Sequence, residues 1–138
     1  MSILRRILLL LALLAVPFGA AAQIQDFDQL EKRLRLKPHQ QEQFDLARAA
    51  TQRALVSSAL SAMELKDRLR EELGKARPDV GALLEAQEAA FERNRPLFRE
   101  ARDEWVKLYA LLDDDQVAIA RRFIEEKLSG LPRLGVIP

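Results

Sequence analysis

The residues that could do chemistry are few, and their spacing limits what they could do. The chain of 138 residues contains a single histidine, His39, and no cysteine. A zinc or nickel site needs three or more suitable donors, and His39 could recruit only Glu42 or Asp45 nearby. No nucleophile elbow, phosphate-binding loop or zinc-binding helix motif is present. The sequence therefore predicts no enzyme, no metal site and no cofactor, with a metal shared by two copies of His39 across a dimer as an open alternative.

A run of three acids, Asp113–Asp115, has an explanation that needs no ion. As an N-cap, Asp113 can accept a hydrogen bond from the backbone N–H of Gln116, whose side chain can reach back to the N–H of Asp113. Asp114 and Asp115 then lie in the first helical turn, where negative charge favours the helix dipole. The run lacks a partner base for acid–base catalysis. A capping partner is worth about 0.5–2 kcal/mol, which is the loss the sequence predicts for Gln116→Ala.

A related pattern occurs earlier in the chain, also ahead of a predicted helix. The two copies are Leu36-Lys37-Pro38-His39-Gln40 and Leu112-Asp113-Asp114-Asp115-Gln116. In the first copy Pro38 suits the first helical position, where its missing N–H costs nothing, and Gln40 takes the third. Lys37 has no acceptor atom and cannot cap as Asp113 does. The residues expected to hold the two helix starts are Leu36, Pro38, Gln40, Leu112, Asp113 and Gln116.

The N-terminus has the three parts of a secretory signal. Arg5 and Arg6 are followed by an unbroken apolar run, Ile7–Val16, and then by small residues at Ala20 and Ala22. This pattern predicts that residues 1–22 are a cleaved signal peptide and that residues 23–138 form the mature protein in the periplasm. An uncleaved membrane anchor is the alternative, although the apolar segment is short for a span of about 20 residues.

The composition favours one helical domain. Hydrophobic residues make up 49% of the chain, charged residues make up 31%, and there are only 5 glycines and 6 prolines. Few breakers and many helix-forming residues indicate long helices. The formal net charge is +1, and Arg5 and Arg6 of the predicted signal contribute to it. The sequence therefore gives no reason to expect binding to nucleic acid.

The pattern of apolar residues predicts four helices. A short helix over about residues 27–35 precedes a long helix from Pro38 to about Leu73, a second long helix after Asp79, and a last helix over residues 114–128. The predicted fold is all-α, a long antiparallel helical hairpin flanked by two shorter helices, and curved because Pro96 interrupts the second long helix. The packing seam predicted for that helix is Val80, Leu84, Gln87, Phe91, Asn94, Phe98, Ala101, Trp105, Leu108 and Leu112.

Two surface features suggest partners. Apolar residues off the seam, at Leu46, Val56, Leu60 and Met63, exceed what one partner helix can cover, so we expect a homodimer. Arginines cluster around Pro96, and Arg95, Arg99 and Arg102 share a face beside Phe98. They could be a solvated flank paired with acids, or a basic rim that attracts unfolded acidic proteins. On the second reading, Arg95, Phe98, Arg99 and Arg102 are candidate client-binding residues.

The two motifs resemble the LTxxQ motif, which occurs twice in the periplasmic Spy/CpxP family of stress proteins and in related zinc-resistance-associated and heavy-metal sensor proteins. The order of signal, short helix, motif, long helix, long helix, motif and last helix is also similar, over about residues 27–128. The sequence departs from the pattern at the threonine, which is Lys37 in one copy and Asp113 in the other. Asp113 keeps the capping chemistry, and Lys37 does not.

The resemblance implies a function that the residues alone do not give. Family members of the Spy type are small, often dimeric helical cradles that hold unfolded clients without ATP. The resemblance thus implies a periplasmic, ATP-independent chaperone or envelope-stress adaptor whose partners are unfolded or misfolded envelope proteins. CpxP-like members restrain a membrane sensor kinase, and the metal-sensor branch binds transition metals through histidine and acids. A metal-responsive sensor or regulatory subunit is therefore the alternative.

Overall fold

The computed structural model describes residues 20–129, and every regular element in that range is an α-helix. The helices are α1 (Ala20–Leu34), α2 (Pro38–Leu73), α3 (Val80–Leu111) and α4 (Asp114–Ser129). The predicted all-α class is confirmed. The predicted signal peptide, residues 1–22, lies outside the described residues except for its last three, which belong to α1. Within residues 20–129, no helix combines the length and the apolar character needed to cross a membrane.

The ends of the two long helices follow from local chemistry. Pro38 opens α2, and Gly74 follows its last residue with its N–H bonded to the carbonyls of Arg70 and Glu71. The side chain of Asp79 caps α3 by accepting a hydrogen bond from the N–H of Ala82 at 3.0 Å. These caps satisfy backbone groups that the helix itself leaves open. The helix α3 continues through the exposed Pro96.

Helices α2 and α3 pack along their length and make most of the contacts between elements. Polar bonds between them join Gln43 to Glu104 at 2.8 Å and Arg53 to Glu100 at 2.8 Å. Farther along, Ser57 donates to Asn94 at 2.5 Å. In these bonds the residue number on α3 falls as the residue number on α2 rises, so the two helices run in opposite directions. We call α2 and α3 the long helix pair.

The core lies at the end of the long helix pair that carries the two motifs. Its buried apolar cluster draws on all four helices and consists of Leu30, Leu34, Phe44, Leu108 and Phe123. The motif residues Leu36 and Leu112 are half-buried against this cluster. Between residues 62 and 89 no residue is buried. The opposite end of the pair is therefore a two-helix arm without a core of its own, which we call the distal arm.

Arg35 follows α1 in a left-handed backbone conformation, with φ of 48°. This conformation costs a residue with a side chain about 1 kcal/mol relative to glycine. We expect Arg35→Gly to raise the free energy of unfolding by about 0.5 kcal/mol, because relief of strain exceeds the added entropy of the unfolded chain. Chemical denaturation checks this, with Arg35→Ala as the control that removes the charge and keeps the strain. Equal stability of the two variants would contradict a backbone origin.

Candidate functional site

The second motif forms both hydrogen bonds of the predicted capping box. The carboxylate of Asp113 accepts from the N–H of Gln116 at 2.8 Å. The side-chain oxygen of Gln116 accepts from the N–H of Asp113 at 3.1 Å. Asp114 and Asp115 are exposed in the first turn of α4, as the dipole argument predicts. The acid run is thus accounted for as a helix start.

The first motif forms the half of the box that does not need an acid. The side-chain oxygen of Gln40 accepts from the N–H of Lys37 at 2.9 Å. Lys37 has an extended backbone, with φ of −72° and ψ of 160°, which is typical of an N-cap. Pro38 is the first residue of α2 and His39 is exposed beside it. The glutamine therefore makes its own half of the capping box, and the half that a threonine or aspartate would make is absent at Lys37.

The two motif glutamines bind each other, although they are far apart in the sequence. The amide nitrogen of Gln40 donates to the side-chain oxygen of Gln116 at 2.8 Å. The amide nitrogen of Gln116 donates to the side-chain oxygen of Gln40 at 2.9 Å. Gln40 is 2% exposed and Gln116 is 5% exposed, so this reciprocal contact lies inside the molecule. We call it the glutamine pair.

Each glutamine of the pair donates its second amide hydrogen to the last carbonyl of a helix. Gln40 donates to the carbonyl of Leu111, the last residue of α3, at 2.8 Å. Gln116 donates to the carbonyl of Leu34, the last residue of α1, at 3.1 Å. Each glutamine thus makes the same set of bonds: with the other glutamine, with the N–H of its own N-cap residue and with the last carbonyl of a preceding helix. All donors and acceptors of both side-chain amides are therefore used. The pair ties together the starts of α2 and α4 and the ends of α1 and α3.

Helix α1 covers one face of the long helix pair near the motifs. Phe27 stacks on Trp105 with ring centroids 5.3 Å apart, and Phe44 meets the same ring edge-on at 5.5 Å. The indole N–H of Trp105 donates to the hydroxyl of Thr51 at 2.8 Å. On the outside of α1, the Arg48 guanidinium pairs with the carboxylates of Asp28 and Glu31. Trp105 is therefore a packing residue of this covered face.

The seam predicted for α3 is wrong in its first half. Val80, Leu84 and Phe91 are 60%, 60% and 64% exposed, whereas Ala90 is buried and Leu83 and Ala86 are half-buried. The helix thus faces α2 through residues displaced by one position from those predicted. Small side chains at 86 and 90 are the type that suits close packing of two helices, and the larger side chains of Leu84 and Phe91 lie at the edge of the contact.

The displaced residues form an exposed apolar strip on the distal arm. The distal strip consists of Leu69 and Leu73 on α2 and Val80, Leu84 and Phe91 on α3, which are 44–65% exposed. On α3 the same row of spacings of three or four runs on through Phe98 to Trp105. The distal strip is therefore the continuation of the surface that α1 covers at the other end. Proteins seldom leave such a run of large apolar side chains open without a use for it.

The candidate client-binding residues lie on α3 between the distal strip and Trp105. Phe98 is half-buried, and Arg99 is exposed. Arg95 pairs with Glu92 at 2.7 Å and Arg102 pairs with Asp103 at 3.0 Å, and both arginines stay about half-exposed. The arginines near Pro96 are thus both accessible and partly neutralised by acids on their own helix. The pairing of Arg95 and Arg102 with acids agrees with the reading as a solvated flank, and the reading as a basic rim stays a prediction.

Potential metal donors are spread out over the described surface. In residues 20–129, no three histidine, aspartate or glutamate side chains come close enough to hold an ion. His39 is exposed in the first turn of α2. A metal at His39 would therefore need additional ligands, for example from a second copy of the chain.

Glu104 anchors α3 to α2 and has a shifted acidity. It accepts hydrogen bonds from the Lys107 ammonium at 2.9 Å and from the Gln43 amide at 2.8 Å. These bonds, that of Lys107 first, hold the pKa of Glu104 below its usual value of 4.5. Because the pKa is lowered by folding, Glu104 stabilises the fold above about pH 4.5, and this stabilisation is lost as the pH falls through the folded pKa.

The melting temperature should therefore fall less steeply in Glu104→Gln than in the wild type between about pH 6 and about pH 3.5. The measurement is thermal unfolding followed by circular dichroism at each pH. Glu42→Gln, at an exposed carboxylate near the start of α2, provides the background effect of removing one acid. Parallel curves for the wild type and Glu104→Gln would contradict the assignment.

Similarity to known proteins does not identify the site. Comparison with protein-family models, with curated proteins and with solved structures gives no match to this chain. The glutamine pair and the distal strip are therefore interpreted from their own contacts and chemistry.

Proposed function

We propose that this protein is a periplasmic, ATP-independent chaperone or stress adaptor of the Spy/CpxP type. It would bind unfolded or misfolded envelope proteins without doing covalent chemistry on them. In this proposal α2 and α3 form a helical hairpin, and two copies of the chain form a curved cradle. The observation that carries the proposal is the distal strip, a run of large apolar side chains at 44–65% exposure on a folded two-helix arm.

The strip suits a flexible, partly apolar ligand better than a small molecule. Its side chains lie along an exposed face of two helices, and an unfolded polypeptide can lie along such a face and exchange its contacts there. Leucine, valine and phenylalanine contribute non-directional apolar contact, which suits clients of different sequence. Methionine contributes little adaptability, since Met63 is the one methionine in the described residues and lies outside the strip.

Cations around the strip add a reason to favour acidic clients. Lys66 and Arg70 lie one helical turn before Leu69 and Leu73, and Arg95 lies one turn after Phe91. These three cations are exposed, and two of them lie near an acid of their own helix, Arg95 at 2.7 Å from Glu92 and Arg70 at 3.9 Å from Asp67. Opposite charges speed the first encounter between partners more than they tighten the final complex. The arrangement supports fast capture and weak holding of net-acidic unfolded chains.

The glutamine pair has a different role in the proposal. It bonds to the ends of α1 and α3 and joins the starts of α2 and α4, and both glutamine side chains are buried. Buried networks whose members are all satisfied make one arrangement of elements more rigid than the alternatives. The motifs therefore keep the arm in a fixed position relative to the core, and the arm binds the client.

The proposal is tested by the aggregation of a chemically unfolded client, followed by light scattering without nucleotide. The purified protein is added at near-stoichiometric ratio in low and in high salt. We expect suppression that weakens in high salt, because exposed cations are screened there. Suppression that is indifferent to salt would remove the cations from the proposal. Absence of suppression at every ratio would contradict the chaperone function.

A further inference from the structure

The outer side of α2 carries a second apolar stripe, separate from the distal strip. Its large members are Leu46, Val56, Leu60 and Met63, which are 53%, 58%, 56% and 63% exposed. With Ala49 and Arg53 they occupy positions 46, 49, 53, 56, 60 and 63. Steps of three and four alternate through this run, which is the spacing of a coiled-coil seam. We call it the α2 seam.

The α2 seam faces away from α3. Each residue turns an α-helix by about 100°, so Val56 and Met63 lie about 200° round the helix from Ala54 and Ser61. Ala54 is 0% exposed, and Ser61 accepts a hydrogen bond from Asn94 of α3 at 3.1 Å. Leu46, Arg53 and Leu60 each lie about 100° from the buried Ala47, Ala54 and Ser61, on the other side of the seam. The seam is therefore centred about 130° round α2 from the contact with α3, on a flank that is open to a further helix.

We propose that a second copy of this chain binds the α2 seam, with the two α2 helices antiparallel about a two-fold axis between residues 54 and 55. This inference rests on the dimer of the proposed function and names its interface and register. Leu46 then meets the partner's Met63, and Ala49 meets the partner's Leu60. Arg53 meets the partner's Val56 near the axis.

The charges on α2 favour the antiparallel over the parallel alignment. A parallel pair would set Arg53 against the partner's Arg53, because both occupy the same seam position. In the antiparallel pair Asp45 lies beside the partner's Lys66, at positions that flank the seam. The guanidinium of Arg53 is already bonded to Glu100 at 2.8 Å. Its aliphatic stem can therefore pack in the seam while its charge keeps a partner.

The length of the seam sets the strength of the contact. Glu42 and Asp67 occupy the next heptad positions on either side, so the apolar contact ends there. Residues 46–63 span about 26 Å of helix at about 1.5 Å per residue. A two-helix contact this short falls at the small end of specific interfaces, below about 1,200 Å². We therefore expect a reversible dimer with a Kd of about 1–100 µM.

Sedimentation equilibrium of the purified protein tests the interface. We expect the mass to rise from that of a monomer to that of a dimer across this concentration range. Leu60→Glu should raise the dimer Kd by at least about tenfold, whereas Leu84→Glu, a matched exposed leucine on the distal strip, should leave it unchanged. A wild type that stays monomeric at several times about 100 µM, or a Leu60→Glu variant that dimerises as well as the wild type, would overturn the proposal.

Engineered cysteines test the register, since the chain has none of its own. Under mild oxidation, a mixture of Leu46→Cys and Met63→Cys proteins should form several times more covalent dimer than either protein alone. Crosslinking of each protein alone to the same extent as the mixture would overturn the antiparallel register. Absence of crosslinking in the mixture would overturn the interface. Neither experiment involves a client, so a failure here is distinguishable from a failure of the chaperone proposal.

Discussion

Gln116→Ala is expected to lower the free energy of unfolding by about 3–4 kcal/mol. Its side chain makes four hydrogen bonds, to Asp113, to Leu34 and twice to Gln40, and each is worth about 1 kcal/mol. The expected loss exceeds the 0.5–2 kcal/mol of a helix cap alone, because the substitution also leaves buried groups of other helices without partners. For a domain of this size, the melting temperature should fall by about 10 °C or more.

A double-mutant cycle separates the glutamine pair from two independent caps. Gln40→Ala should cost about as much as Gln116→Ala, and the double variant should cost about 1–2 kcal/mol less than the sum, because each single variant already breaks the shared bonds. Gln43→Ala is the control at a half-buried glutamine of the same helix, which bonds only to Glu104. It should cost about 1 kcal/mol. Additive effects of Gln40→Ala and Gln116→Ala in chemical denaturation would contradict a coupled pair.

The double variant Leu84→Ser/Phe91→Ser is expected to lose most of its ability to hold unfolded clients. Burial of one leucine or phenylalanine against a client is worth about 1.5–3 kcal/mol, and 1.4 kcal/mol corresponds to about tenfold in affinity. Suppression of aggregation should therefore need at least about ten times more protein. The stability of the fold should change by less than about 0.5 kcal/mol, since both side chains are already more than half exposed.

A matched variant distinguishes the distal strip from apolar surface in general. Val106→Ser/Leu111→Ser removes two apolar side chains from the same helix, outside the strip, at 42% and 41% exposure. We expect it to suppress aggregation as well as the wild type does. Equal loss in the two double variants, at unchanged circular dichroism, would show that binding has no preferred place on the surface.

Local chemistry explains which features could be predicted from the sequence. A capping box involves residues three positions apart, so the bonds between Asp113 and Gln116 and the cap at Asp79 can be read directly from residue types. The bond between Gln40 and Gln116 depends on how the two helix starts meet in space, and sequence spacing carries no such information. A signal was available, because both motifs place a glutamine at the third helical position. The shared position of the two glutamines indicates a contact only once the fold shows that both are buried side by side.

The error in the α3 seam has a physical cause of the same kind. A period of three and four residues fits the row through Leu84 and Phe91 as well as the row through Leu83 and Ala90. The larger residues would form the packed row if apolar size decided the contact. Close approach of α2 favours the smaller alanines instead, and this tertiary preference is not visible in α3 alone. Val80, Leu84 and Phe91, which were predicted to be packed, are exposed in the distal strip. This strip is the main surface in the functional proposal.

The left-handed residue lies where local preference would not put it. Glycine commonly ends a helix in the left-handed conformation, and Gly74 follows the last residue of α2. In the structure Gly74 keeps a φ of −75° and Arg35 takes the positive value. The segment between Leu34 and Pro38 is short, and both of its ends are tied to the glutamine pair through Leu34 and Lys37. The closed geometry at the motifs thus determines this turn more than the residue's own preference does.

Photo-crosslinking from position 91 tests the central claim most directly. A photoreactive phenylalanine analogue at Phe91 is irradiated with a chemically unfolded client in the absence of nucleotide, and the same analogue at Val106 serves as the control. The account predicts crosslinks to the client from position 91, few from position 106, and none when the client is supplied folded. Equal crosslinking from both positions, or no crosslinking of an unfolded client from position 91, would contradict a client-binding surface on the distal strip.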